Sequence, residues 1–336
     1  MKVIFKLLII LFSTGLIAQN RYQINSDFRL DAVSPGAYSI VAKEQEDGKI
    51  LIGGSFEIVE GSDLSYLIRL NSDGTIDENF NVGGSGPSNH VQDIEVLDDG
   101  KILIAMRQGL YYNGEPVSSV VRLNSDGSLD NTFEVGKFLD NDLRFNNSAF
   151  ALDVQSDGKI IVVGSFYQIG TTKLNGIARL HVDGSIDDTF SVGTGFQVNI
   201  NNEIAAPATQ VQILSDGSIA VLGDFDTYNN NAANKFVILN QDGSFKSAAS
   251  EAFESFVFPL AFDTEGFIVE QSNGKIVLAR DDHDNDKRFI RLNTDGSFDN
   301  SFDDNLANER VSSLSGFSND HLLVKSSTIT DILDAD

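Results

Sequence analysis

Apolar residues along this chain come in short runs, such as Ala37-Tyr38-Ser39-Ile40-Val41, Lys49-Ile50-Leu51-Ile52 and Tyr66-Leu67-Ile68-Arg69-Leu70. Their length and their β-branched and aromatic content predict strands. No run sustains the spacing of an amphipathic helix. Asp-Gly dipeptides separate the runs at Gly48, Gly74, Gly100, Gly127, Gly158, Gly184, Gly217, Gly243 and Gly296. Each predicts a hairpin turn, because glycine takes positive φ at no steric cost and aspartate bonds its own backbone and tolerates the left-handed region.

The pattern repeats. One phrase, Arg69-Leu70-Asn71-Ser72-Asp73-Gly74-Thr75-Ile76-Asp77-Glu78-Asn79-Phe80, returns around Gly127, Gly184, Gly243 and Gly296. A second, Asp47-Gly48-Lys49-Ile50-Leu51-Ile52-Gly53-Gly54-Ser55-Phe56, returns around Gly100, Gly158, Gly217 and Gly274, giving a unit of 52 to 59 residues. A unit of this length with four short strands, here a to d, predicts an all-β chain: a β-propeller of four-stranded antiparallel blades. Within a unit the two glycines stand 26, 27, 26, 26 and 22 residues apart, while the steps between units are 26, 31, 33 and 31. The a–b and c–d turns therefore share one end of the sheets. The longer b–c and d–a connections share the other, which is where binding is expected.

Five units run from about Gly36 to Phe302, and a sixth begins at Val311 and stops at Asp336, where glycine and strand d should follow. Ile24-Asn25-Ser26-Asp27-Phe28 matches Ile76-Asp77-Glu78-Asn79-Phe80. The N-terminus is thus expected to supply the missing strand, close a six-bladed ring and remove two open edges. A reading frame cut short, with seven or more blades, is the alternative. Phe80, Phe133, Phe190 and Phe302, six residues after the second glycine, and Phe56, Phe166 and Phe225, after strand b, are expected to fill the space between blades.

With both phrases laid out, the chain resembles the delta-60 repeat family of bacterial β-propellers, whose units carry Asp-Gly-Lys-Ile followed by Arg-Leu-Asn-x-Asp-Gly-Ser. The resemblance rests on Asp99-Gly100-Lys101-Ile102, Asp157-Gly158-Lys159-Ile160, Arg122-Leu123-Asn124-Ser125-Asp126-Gly127-Ser128 and Arg291-Leu292-Asn293-Thr294-Asp295-Gly296-Ser297. It implies a secreted propeller and no particular activity. The fourth unit departs, with Ser218 for lysine, Val237-Ile238-Leu239 for Arg-Leu and Phe245-Lys246-Ser247 in the continuation, so it is expected to be the least regular.

Composition narrows the partners. Residues 1–18 carry Lys2 and Lys6 and then an apolar run, Leu7-Leu8-Ile9-Ile10-Leu11-Phe12, which reads as a signal peptide ending near Ala18. Residues 19–336 are then a single propeller domain, a secreted or cell-surface monomer with no transmembrane segment in the mature chain. No cysteine occurs, which excludes a lipoprotein anchor, a disulfide framework and thiolate chemistry. A formal net charge of −25, from 24 basic and 49 acidic side chains, repels phosphate backbones, so nucleic acid is not an expected partner.

Three functional readings follow. In the first, the chain is a non-enzymatic binding module for an extracellular protein or glycan. Tyr111, Tyr112, Tyr167 and Tyr228 lie in b–c connections beside Asn113, Gln168, Asn229, Asn230 and Asn231, and rings with neighbouring amides fit sugar or peptide contact. In the second, a metal-dependent hydrolase of lactonase type works with carboxylates converging from the innermost strands; there is no nucleophile elbow and no phosphate-cradling loop. In the third, the array is structural and Ca2+ stabilises its turns, through Asp73 and Asp77, Asp126 and Asp130, and Asp295 and Asp299 in the Asn-x-Asp-Gly-x-x-Asp phrase. Calcium needs six to eight oxygens and the hairpin explains the phrase without it. The four histidines, His90, His181, His283 and His321, share no metal-ligand spacing.

Overall fold

The computed structural model describes residues 40–56, 65–139, 147–197, 208–233, 235–247, 266–280, 289–294, 296–302, 311–316, 322–326 and 330–333. The signal segment, the strand expected at 24–28, Asp295, His283 and the end at Asp336 lie outside the described residues. No helix occurs among those described, and no helix is long and apolar enough to cross a membrane. The chain divides into two compact units, Met1–Asn131 and Thr132–Asp336.

In the first unit, repeat 1 is an antiparallel sheet of β1 (Ile40–Glu44), β2 (Ile50–Gly54) and β3 (Leu67–Leu70). Repeat 2 pairs β4 (Val91–Val96) with β5 (Ile102–Met106), and β5 with β8 (Val120–Leu123). Its b–c connection folds into a hairpin of β6 (Tyr111–Tyr112) and β7 (Glu115–Pro116). The middle strands β2 and β5 are buried throughout, so they read as continuous apolar runs, while β4 buries only Val91 and Ile94. Leu51 and Leu67 of repeat 1 share an apolar cluster with Val91, Ile94, Ile104 and Val121 of repeat 2. The sheets come so close at Gly53 that an added Cβ would lie 2.6 Å from Val91.

The second unit continues the pattern. Repeat 3 contains β10 (Ser148–Val154), β11 (Ile160–Ser165) and β14 (Ile177–Leu180), and a small sheet of β9 (Phe138–Leu139), β12 (Gln168–Ile169) and β13 (Thr172–Lys173). In repeat 4 the corresponding small sheet is β15 (Phe196–Gln197), β18 (Thr227–Tyr228) and β19 (Asn231–Ala232). Its main sheet is β16 (Ala208–Ile213), β17 (Ile219–Gly223), β20 (Phe236–Leu239) and β21 (Phe245–Ser247). Repeat 5 has β22 (Gly266–Glu270), β23 (Ile276–Arg280) and β24 (Phe289–Leu292), and a further sheet has β25 (Val311–Gly316), β26 (Leu322–Ser326) and β27 (Thr330–Leu333). One apolar cluster joins repeats 3 and 4 through Val163, Phe190, Phe196, Val221 and Tyr228, and another joins repeats 4 and 5 through Leu222, Phe236 and Leu278.

One expectation needs correction, and another, the Asp-Gly hairpin, gains a loop length. Among the described residues the expected four-stranded blade appears in repeat 4; in repeats 1, 2, 3 and 5 strand d is a single bridge, Leu70↔Ile76, Leu123↔Leu129, Leu180↔Ile186 or Leu292↔Phe298. The reason is the aspartate that follows. In repeat 1 the Asp77 carboxylate accepts the Asn79 amide and the Asp77 carbonyl accepts the Phe80 amide, which turns the chain away from the sheet. Repeat 4 has Lys246 at that position, so β21 runs on beside β20, and the repeat expected to be least regular has the largest main sheet. The Asp-Gly hairpins are also longer than a two-residue turn. Gly74 N donates to Asn71 O at 2.9 Å and Asn71 N to Thr75 O at 2.8 Å, a three-residue loop in which Gly74, at φ 86°, is left-handed and Asp73 is not.

Candidate functional site

The turn end of the sheets is organised around a buried aspartate. Asp77 Oδ2 accepts from Arg69 Nε at 2.8 Å and lies 3.1 Å from Lys49 Nζ. The same trio recurs as Arg122–Asp130–Lys101, Arg179–Asp187–Lys159 and Arg291–Asp299–Lys275. Burial raises the Asp77 carboxyl, but the Asn79 amide, Lys49 and Arg69 outweigh it and hold it below the usual carboxylate range. Lys275 and Ser301 pull Asp299 well down in the same way. The arginines also face rings: the guanidinium carbon lies 4.5 Å from the centre of Phe80, 4.8 Å from Phe190 and 4.7 Å from Phe302 for Arg69, Arg179 and Arg291. Phe80 and Phe190 thus pack under a cation as well as in the core, while Phe302 is half-buried.

These contacts bear on the calcium reading. Asp77, Asp130 and Asp299 face paired cations that neutralise them, and a second cation would have to displace a lysine or an arginine. Asp73 and Asp126 sit apart at the exposed turns. Each receives the amide and hydroxyl of the residue two positions on, Thr75 or Ser128, whose hydroxyl is the main cause of its lowered pKa. The structure therefore separates Asp73 from Asp77 and Asp126 from Asp130. Among the described residues no group of three or more His, Asp or Glu side chains is arranged to hold a metal ion. Lysine and arginine were missed as partners of these aspartates, although Lys49, Arg69 and Asp77 recur together in four repeats of the sequence.

The four tyrosines part company. Tyr112 and Tyr228 are wholly buried, and their hydroxyls donate to the carbonyls of Gly127 at 2.6 Å and Gly243 at 2.7 Å. Burial raises both phenols. They brace the c–d turn from beneath and present nothing to a ligand, which corrects the expectation for these two. Tyr167 is half-buried, with Lys173 Nζ 5.2 Å from its ring centre. Tyr111 is 49 % exposed beside Leu110 at 53 %, and Val82, on the connection that hairpin β6–β7 holds, is 78 % exposed. Of the neighbouring amides Asn113 is committed inside, where it and Asn81 exchange bonds at 2.6 and 3.0 Å and its Oδ1 also accepts Gly86 N at 2.7 Å, whereas Asn230 and Asn231 are exposed.

The first strands of the repeats carry carboxylates too, but these tie neighbouring repeats together. Asp153 Oδ2 accepts Ile213 N at 2.6 Å, Glu270 accepts the amide and hydroxyl of Ser215 at 2.7 Å each, and Glu95 pairs with Lys43 at 2.5 Å. A further feature of the second unit is an open cleft of about 610 Å3 between the turns of repeats 3 and 4, lined by Asp157, Lys159, Arg179, Asp216, Asn240, Asp242 and Lys246, among others.

The repeat phrases match a described family. Residues 45–80, 97–133, 155–190, 214–245 and 271–302, together more than half of the chain, match the β-propeller domain of unknown function DUF5122. The chain belongs to the DUF5122 β-propeller family. Solved structures resembling this DUF5122 protein include the GH74 xyloglucanase from Xanthomonas campestris, at 11 % identity and TM-score 0.50, over 88 % of this chain and 42 % of that one. A gluconolactonase from Xanthomonas campestris aligns at 11 % identity and TM-score 0.46, over 88 % of this chain and 91 % of that one. The extracellular domain of a protein described as a hybrid two-component system from B. thetaiotaomicron aligns at 13 % identity and TM-score 0.47, over 86 % of this chain and 32 % of that one. This chain thus spans about a third of that domain. At such identity the likeness is one of fold. No curated protein sequence matches the chain.

Proposed function

We propose that this DUF5122 protein is an exported, non-enzymatic binding module whose partner is a protein, engaged at the outer corner of repeat 2. The observation that carries the reading is the clustering of Val82, Leu110 and Tyr111. They are three of the four large apolar side chains exposed among the described residues, and all belong to one hairpin and the connection bonded to it. Exposed apolar side chains gathered on an ordered element are a recognition surface more often than scattered ones are. Because Asn113 spends its amide on Asn81 and Gly86, the corner offers area rather than hydrogen bonds, which favours a protein face over a sugar. Export rests on the basic and apolar character of residues 1–18. The same reading takes the repeats as one ring of six blades closed by residues 24–28, and it assigns no metal to the aspartate turns.

The reading is tested by placing a photo-crosslinking amino acid at Tyr111 in the producing cell, with Asp73, at the turn end of the neighbouring sheet, as the comparison position. A discrete protein adduct at 111 and none at 73 is expected. Equal labelling at both positions, or none at 111, would remove the proposal.

A further inference from the structure

We propose that the cleft between the turns of repeats 3 and 4 is a binding site for a neutral polyhydroxylated ligand, a glycan. The first ground is how the cleft arises. In repeats 1, 2, 3 and 5 a lysine follows the a–b turn and reaches the buried aspartate after the c–d turn, filling the space between the two turns. Repeat 4 replaces all three members of that trio: Ser218 stands for the lysine, Lys246 for the aspartate and Ile238 for the arginine. The short Ser218 leaves the space empty. Lys246 turns outward to Asp216, at 2.7 Å, and the cleft of about 610 Å3 opens there. Sequence departure and cavity coincide, and the volume lies within the ~300–1,000 Å3 of small-ligand sites.

The second ground is the chemistry of the walls. Three carboxylates, Asp157, Asp216 and Asp242, face the cleft with three cations, Lys159, Arg179 and Lys246. Every cation is paired: Lys246 with Asp216, Lys159 with Asp187 at 3.1 Å, Arg179 with Asp187 at 2.8 Å. A free anion therefore meets no uncompensated positive charge, and among the carboxylates Asp242 is held by the amide and hydroxyl of Ser244. What the walls still offer is hydrogen bonding, since the side chains of Asp157, Asp216 and Lys246 are 48, 57 and 39 % exposed. Acceptors and donors set side by side match vicinal hydroxyls, each of which donates and accepts at once. Their positions are fixed in advance, because Asp216 also takes the amide and hydroxyl of Ser218 and holds its pKa at about 2, chiefly through Lys246. Prior fixing lowers the entropic cost of binding. The walls contain no aromatic ring, so recognition is by hydrogen bonds alone and the affinity is modest, on the order of a millimolar dissociation constant.

The test is affinity electrophoresis of the full chain in native gels containing soluble neutral polysaccharides, among them xyloglucan, dextran and galactomannan, with polygalacturonate as the anionic comparison. Retardation by at least one neutral polymer is expected. It should be lost in the double variant Ser218→Lys with Lys246→Asp, which refills the cleft with the pair found in other repeats, and weakened at least threefold in Asp157→Ala. Both variants should melt within a few degrees of the parent, and Tyr111→Ser should be retarded like the parent, which separates this site from the protein-binding corner. Retardation that survives refilling, retardation by polygalacturonate alone, or none with any neutral polymer would overturn the proposal.

Discussion

Asp187 Oδ2 lies 2.8 Å from Arg179 Nε and 3.1 Å from Lys159 Nζ, while its other oxygen takes the amide and hydroxyl of Thr189. Arg179 is only 6 % exposed, so removing its partner strands a charge away from water. Asp187→Asn should cost about 3–5 kcal/mol, read as a fall in the urea midpoint, whereas Lys246→Ala, at an exposed pair, should cost under about 1 kcal/mol. The same residue sets an acid limit. Burial raises the Asp187 carboxyl, but Thr189, Lys159 and Arg179 together hold it well below the usual carboxylate range. A depressed carboxyl contributes stability that is complete above its unfolded value, about 3.9, and is lost as pH falls through the folded value. Melting temperature should therefore hold from pH 7 to about 5 and fall steeply below about 4, and Asp187→Asn should flatten that fall; an unchanged slope in the variant would refute the assignment. Tyr228 was read from sequence as a contact residue, yet it is a brace. Nothing in Thr227-Tyr228-Asn229 distinguishes a ring pointing outward from one donating to a carbonyl fifteen residues on. Tyr228→Phe leaves that buried carbonyl unmatched and should cost about 1–3 kcal/mol in the same denaturation.

At the scale of elements, strands a, b and c were legible because each is a compact apolar run between turn residues, and β2, β5, β11 and β17 are buried along their whole length as such runs require. Strand d was overread. Ile76 looks like the start of a strand, but the competing turn at Asp77 is a property of the side chain's bonds, which no hydrophobic pattern displays. The accessory hairpins were underread, although Asn113-Gly114 carries the signal: both residues have positive φ, 50° and 82°, as a two-residue hairpin demands. Of the candidate site, Tyr111 was found from its loop position, whereas Leu110 and Val82 became visible only once the hairpin had turned them to solvent. The link between Lys246 and β21 can be tested directly. Ile238→Arg with Lys246→Asp should return repeat 4 to a single bridge, and the amide of Ser247, paired opposite Ile238, should exchange with deuterium at least tenfold faster. Unchanged protection there would mean that the aspartate does not end strand d.

For the molecule as a whole, a formal net charge of −25 disfavours any compact state through self-repulsion. Salt shortens the reach of that repulsion to about 8 Å at 0.15 M. The melting temperature should rise by several degrees between 10 mM and 0.15 M sodium chloride, and calcium at matched ionic strength should add nothing saturable; a saturable rise would restore the aspartate turns as metal sites. The β-propeller repeat architecture was legible at this scale because the same phrases recur, and a binding surface was not, because what recurs is what holds the array together. The Arg179 guanidinium ends on the carbonyl of Gln241, in the second turn of the next repeat, as Arg69 ends on that of Ser125. Because that acceptor is a backbone carbonyl in a turn that recurs along the chain, a whole repeat duplicated or deleted would still leave each buried guanidinium an equivalent acceptor in the repeat that follows. An array tied together in this way can lengthen or shorten by whole units without stranding a buried charge, because the bond that joins each unit to the next asks only for a peptide group in the right place.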